Sequence, residues 1–187
     1  MKAHEILESL KQNKNLYLIS NNGNKKLWFS PKIPEALSEE NIGQTIKVEQ
    51  IPLPYGHFTP IHNGISGGMS YWQHLGGRCS SATAFIAVSP NHQNKGIVEI
   101  EWIEQEEAYS ELYKFTANSK YINSFCEGLI KGLQTVVSHP IADIRITIYG
   151  LIENNVESNQ MAFLNLGQWI TEALIIELCK VGFINSI

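Results

Sequence analysis

The chain has 187 residues, is 43% hydrophobic and 17% charged, and carries a net charge of −4. That composition excludes a disordered chain and suffices to bury a core without disulfide staples. Positions 1–65 hold seven basic against six acidic residues, but positions 66–187 hold seven against twelve, which argues against a broad phosphate-gripping surface in the second part.

No apolar run approaches the roughly 18 residues of a membrane span, and Met1-Lys2-Ala3-His4-Glu5 opens a polar helix and not a signal peptide. Cys79, Cys126 and Cys179 are odd in number and fit reduced thiols better than a disulfide framework. The expectation is a cytoplasmic protein without membrane contact.

In chain order, His4–Gln12 reads as a short helix with Ile6, Leu7 and Leu10 on one side. Leu16–Ser20, the turn Asn21-Asn22-Gly23-Asn24 and Lys25–Ser30 read as a β-hairpin, with Asn-Gly supplying the positive φ angles. Pro31 and Pro34 close that unit. The first 44 residues are thus a helix–hairpin extension, either accessory or packed on the main sheet, and residues 45–187 form the main domain. Thr45–Gln50 alternates as a strand. Tyr55–Gly77 is loop-like, rich in Gly and aromatics, with Met69–His74 able to pair. Thr83–Val88 reads as a buried strand and Ile97–Ile103 as an alternating one, antiparallel to it.

The C-terminal third has the clearest periodicity. Tyr121, Phe125, Leu129, Leu133 and Val137 recur four apart on a helix that Ser119 can cap. Ala142–Tyr149 alternates, with Ile144, Ile146 and Ile148 on one face and Asp143, Arg145 and Thr147 on the other. A polar run, Glu153–Gln160, leads into a helix bearing Phe163, Leu166, Ile170, Leu174, Leu178 and Val181. These elements predict an α+β two-layer sandwich: a sheet of about four strands with two helices on one face.

Phrases in this region resemble domain IV of translation elongation factor G. They are Gly76-Gly77-Arg78 before an apolar strand and Pro90; Lys131-Gly132 near a helix end; His139-Pro140-Ile141-Ala142-Asp143 at a strand start; and the loop Glu153–Phe163. The resemblance covers roughly residues 76–182. It implies the left-handed βαβ crossover of that domain, an exception to the right-handed rule, and two adjacent loops contacting the ribosome or RNA. The family's tip histidine falls on Asn154, its Asp on Glu157 and its Glu on Gln160, so the histidine is lost. Gln160 can still close a capping box, with Glu157, Asn155 or Ser158 as the cap.

Strong catalytic signatures are missing from the sequence. It has no Gly-x-x-x-x-Gly-Lys-Ser/Thr loop, no His-Glu-x-x-His, no Cys-x-x-Cys and no Gly-x-Ser-x-Gly. The expectation is a non-catalytic binding protein without cofactor, metal or GTPase activity. Its partner-binding loops are Gln73, His74, Arg78, Asn154 and Asn155, and its target is the ribosome or ribosomal RNA. An alternative is a regulatory scaffold for a protein partner, favoured by the acidic charge. A third reading is a thiol-dependent enzyme using Cys79 with His57, His62 or His74, since a thiol beside a base can act as a nucleophile. The same three histidines are the only metal set worth weighing. The acidic series Glu99, Glu101, Glu104, Glu106, Glu107 and Glu111 reads as a solvated face. The stripe Trp169, Ile170, Ala173, Leu174 and Ile176 reads as core, with a binding groove as the rival reading.

Overall fold

The computed structural model describes residues 17–31, 45–52, 61–91, 96–103, 106–108, 113–116, 119–135 and 141–180. The strands are β1 (Tyr17–Asn21), β2 (Lys25–Ser30), β3 (Thr45–Pro52), β4 (Ile65–Leu75), β5 (Arg78–Pro90), β6 (Ile97–Ile103), β7 (Glu106–Ala108), β8 (Tyr113–Thr116) and β9 (Ile144–Asn154). The helices are α1 (Ile122–Thr135) and α2 (Gln160–Lys180). The expected helix over His4–Gln12 lies outside the described residues.

The expected two-layer α+β sandwich is observed. Its sheet is larger than expected: among the described residues it has nine strands in the order β1-β2-β4-β5-β9-β6-β3, with β8 pairing the far end of β9 and β7 pairing β8. The N-terminal hairpin is part of this sheet. β2 pairs antiparallel with β4, and Leu27 and Phe29 enter the common core.

In the described part of the stretch expected as loop-like, residues 61–77, the strand is longer than the expected Met69–His74 segment. β4 runs from Ile65 through Leu75 and keeps its register with β5 throughout. Gly67 serves close approach, because a Cβ there would sit 2.7 Å from the Ser30 carbonyl oxygen and 3.1 Å from Leu174 Cδ2. A glycine that admits a neighbouring strand and helix looks in sequence like a glycine that ends a strand.

The pairing of Ile97–Ile103 also differs from expectation. β6 lies parallel to β9 and antiparallel to β3, and β9 sits between it and β5. The crossover carrying α1 returns the chain so that β9 inserts there. Ile144, Ile146 and Ile148 then continue the apolar layer of Val98, Ile100 and Trp102. β9 itself runs past Tyr149. The pairing shifts there, from Ile86 opposite Ile148 to Phe85 opposite Gly150. This bulge resets the alternation and puts Leu151 on the core face.

Both helices join one core with these strands. α1 contributes Ile122, Phe125, Leu129 and Leu133, and α2 contributes Phe163, Leu166, Ile170, Leu174 and Leu178. The Ser119 hydroxyl accepts from the Tyr121 amide at 2.9 Å, as expected of a cap. By length and mean hydropathy α2 meets the measure of a membrane-crossing helix, contrary to the sequence expectation, yet half of that stretch is buried in the protein. On the other face of the sheet Phe85 and Ile152 are also buried. Glu99 and Glu101 are not a solvated face there. Arg145 Nε lies 2.5 Å from the nearly buried Glu99 carboxylate, and the Thr147 hydroxyl donates to Glu101 at 2.7 Å.

Candidate functional site

Two loops meet at one end of the sheet. The first is the β4–β5 turn, where Gly76 (φ 51°) and Gly77 (φ 87°) both take the left-handed conformation of a two-residue hairpin. Leu75 and Arg78 flank it and are exposed. The second loop, residues 155–159, joins β9 to α2.

Hydrogen bonds fasten the second loop to β5. The Ser81 amide donates to the Glu157 carbonyl at 3.2 Å, the Ser158 hydroxyl to the Ser81 carbonyl at 2.9 Å, and Asn159 Nδ2 to the Ser80 hydroxyl at 2.9 Å. The Tyr121 hydroxyl reaches in from the start of α1 and donates to the Ser158 carbonyl at 2.8 Å. These bonds tie the second loop to the strand that leaves the β4–β5 turn, which puts both loops at the same end of the sheet.

The expected site residues do not share one surface. Asn154 is only 6% exposed, and its Oδ1 accepts the amides of Val156 (2.9 Å) and Glu157 (3.1 Å). It is committed to shaping the loop and does not present its amide to a partner. The reason is that β9 extends to Asn154, which places this side chain inside the turn. Gln73 is half-buried and accepts a short hydrogen bond from the Tyr71 hydroxyl. His74, one residue on, points to the opposite face of the strand and is exposed. Arg78 and Asn155 are exposed at the two loops.

The helix cap also differs from expectation. Asn159 caps α2, its Oδ1 accepting the Ala162 amide at 2.9 Å. The residue directly before the first helical position takes that role, and asparagine is among the best caps. Glu157, Asn155 and Ser158 are used elsewhere or stand too early.

Sequence reasoning missed the apolar character of this end. Leu75 is 56% exposed, Val156 78% and Met161 61%, and these are three of the five large exposed hydrophobics among the described residues. The signal available was an isolated valine inside the polar run 153–160 and a leucine directly before Gly-Gly.

His57 lies outside the described residues, and His62 is exposed in the segment before β4. Of the two described candidate histidines, His74 is the one placed beside Cys79, with Nδ1 3.1 Å from Sγ. Among the described residues no group of three His, Cys, Asp or Glu side chains is placed to hold a metal ion.

A second concavity lies at the other side of the helix layer. Ile19, Leu27, Phe29, Trp169, Ala173 and Ile176 line a groove of about 550 Å³, with Glu172, Glu177 and Lys180 at its rim. The stripe on α2 is thus divided. Ile170 and Leu174 are core, while Trp169, Ala173 and Ile176 face the groove. Lys25 Nζ stands 3.8 Å from the Trp169 ring centroid, and burial lowers its pKa below the ordinary lysine value.

These features define a two-layer α+β protein with two loops at one end of its sheet, the second of them bonded to β5. No family model and no curated protein matches the chain. Among solved structures it is similar to a crystal structure of a protein from Thermus thermophilus, with a TM-score of 0.53 at 16% identity. The likeness covers 93% of this chain but 26% of the Thermus protein, so this chain spans about a quarter of its length. At that identity the match establishes the fold alone.

Proposed function

We propose that this protein is a non-catalytic binding module with an elongation factor G domain IV-like fold, acting in translation in the cytoplasm. Its paired loops are the contact surface and the ribosome, through RNA or a ribosomal protein, is the target. The observation that carries this reading is the fastening of the 155–159 loop to Ser80 and Ser81 of β5, with Arg78 and Val156 left exposed beyond it. A loop already bonded to its strand loses little conformational entropy on binding. The parallel β6/β9 pair, whose connection runs through β7, β8 and α1, is compatible with a strand–helix–strand crossover of the kind the resemblance implies.

Co-sedimentation with ribosomes and separate subunits, at low and then moderate salt, tests the proposal. Binding that competes with elongation factor G and weakens on Arg78→Ala supports it, with the salt slope falling by roughly one unit for a phosphate contact. No binding at low salt overturns it.

A second reading is a scaffold whose partner is a protein. The exposed Leu75, Val156 and Met161 favour it, as does the acidic balance of residues 66–187. In that case Val156→Ser weakens partner binding and the salt dependence is shallow.

A further inference from the structure

We propose that Cys79 and His74 form a thiol–imidazole pair that makes Cys79 a site of reversible S-thiolation by small disulfides carrying carboxylates. The inference stands on the hairpin geometry and does not depend on the ribosomal reading.

The register of the hairpin fixes the pair. Leu75 and Arg78 close the two-residue turn, so the next residues outward, His74 and Cys79, are directly opposed. The His74 amide donates to the Asn24 carbonyl at 2.7 Å, on the side away from β5. His74 and Cys79 are therefore a non-hydrogen-bonded cross-strand pair, the kind whose side chains approach most closely. Trp72, two residues before His74 on the same face, stacks on the imidazole at 6.2 Å between centroids and 13° between planes. The ring is thus oriented by packing, with Nδ1 3.1 Å from Sγ.

This arrangement suits proton removal from the thiol. His74 is exposed and Cys79 half-buried, so a small molecule can reach the sulfur. His74 Nδ1 takes the Sγ proton as the sulfur attacks one sulfur of a disulfide R–S–S–R. A Cys79 Sγ–S bond forms and the S–S bond of the reagent breaks. The leaving RS⁻ takes the proton back from His74 and departs as RSH. The reverse exchange with a free thiol restores Cys79, so no further oxidant or reductant is required.

The surroundings choose the reagent. Lys26 Nζ lies 5.9 Å from the Trp72 ring centroid, and Lys26 is directly opposite Trp72 in the β2/β4 pairing. This places a cation beside the Trp72 ring that stacks on His74, on the approach to the pair, which favours an anionic disulfide. The other cysteines are less suited: Cys126 is buried in the core face of α1, and burial raises the pKa of the Cys179 thiol.

The test uses the full chain with glutathione disulfide and, separately, with the neutral 2-hydroxyethyl disulfide, read by intact mass and peptide mapping. The expected result is one adduct, at Cys79, formed faster with the anionic reagent and removed by excess thiol. His74→Asn slows its formation roughly tenfold or more, Lys26→Ala removes the preference for the anionic reagent, and Cys79→Ser forms no early adduct. His74→Gln repeats the comparison if the asparagine variant melts early. First labelling at Cys179, or wild-type rates in both His74 variants, overturns the proposal. Equal rates with the two reagents overturn the assigned class of disulfide.

Discussion

Gly128 of α1 lies against the Leu164 carbonyl of α2 so closely that a Cβ on it would stand 2.0 Å from that oxygen. Gly167 of α2 answers from the other side, where a Cβ would meet the Phe125 carbonyl oxygen at 2.3 Å. The helices touch backbone to backbone, and this brings Phe125 and Phe163 into edge contact at 6.5 Å. In an open helix, Gly→Ala gains about 1 kcal/mol. Here the sign inverts, because no rotamer change moves a backbone oxygen. Gly128→Ala is expected to destabilise by about 3 kcal/mol or more, lowering the melting temperature by roughly 6–12 °C. A thermal melt by circular dichroism checks it, and an unchanged or higher midpoint refutes it.

Asn154 supplies the second prediction. Nearly buried itself, it satisfies two loop amides through Oδ1. Asn154→Ala removes that acceptor and is expected to cost roughly 1–3 kcal/mol, read from the urea midpoint. A variant with this substitution therefore confounds any binding assay with stability, and Arg78→Ala is the cleaner probe of the loops. An unchanged midpoint would show that water replaces the side chain without loss.

The uneven legibility of this chain follows from what is local and what is not. The apolar spacing of Phe125, Leu129 and Leu133, and the alternation of Ile144, Ile146 and Ile148, are consequences of helix and strand geometry. They were visible in the sequence. The insertion of β9 between β5 and β6 was not, because strand order is set by pairings distant in the chain. The bulge at Tyr149 hid the rest of β9 by breaking the very alternation that announced it. At the candidate site, the adjacency of the loops was foreshadowed by the resemblance. The burial of Asn154 and the choice of Asn159 as cap depend on where β9 and α2 begin and end, to within a residue. Nothing local singled out His74 over His62 as the neighbour of Cys79. The hairpin register did that.

Tyr71 gives a prediction in alkaline solution. It packs edge-on against Trp169 at 5.2 Å, and burial raises its phenol above the ordinary value of 10.0. The folded chain then keeps a proton that the unfolded chain releases. The stabilisation is complete below the unfolded value of about 10 and is lost as pH rises through the higher folded value. Tyr71→Phe removes this contribution while leaving Lys25 in place. Urea midpoints at about pH 9 and about pH 11 are expected to fall less in the variant than in the wild type. Parallel falls would mean that the phenol titrates alike in both states.

Arg145 and Glu99 close the open face of the sheet between β9 and β6. Glu99 is 5% exposed, and Arg145 Nε lies 2.5 Å from it and 3.9 Å from Glu101. Arg145→Ala takes this cation away from a buried carboxylate that has a second one beside it. Removing one partner of a fully buried pair costs about 3–5 kcal/mol, but the Arg145 side chain is 45% exposed, so water screens part of the interaction and about 1–3 kcal/mol is expected. Arg145→Lys recovers little of this, because the contact is made by Nε and lysine has no equivalent donor at that place on its stem. Glu99→Gln in the Arg145→Ala background recovers more, since it removes the buried charge. Urea midpoints of the single and double variants separate the two contributions. A double variant no more stable than Arg145→Ala would show that Arg145 acts through packing and not through its charge.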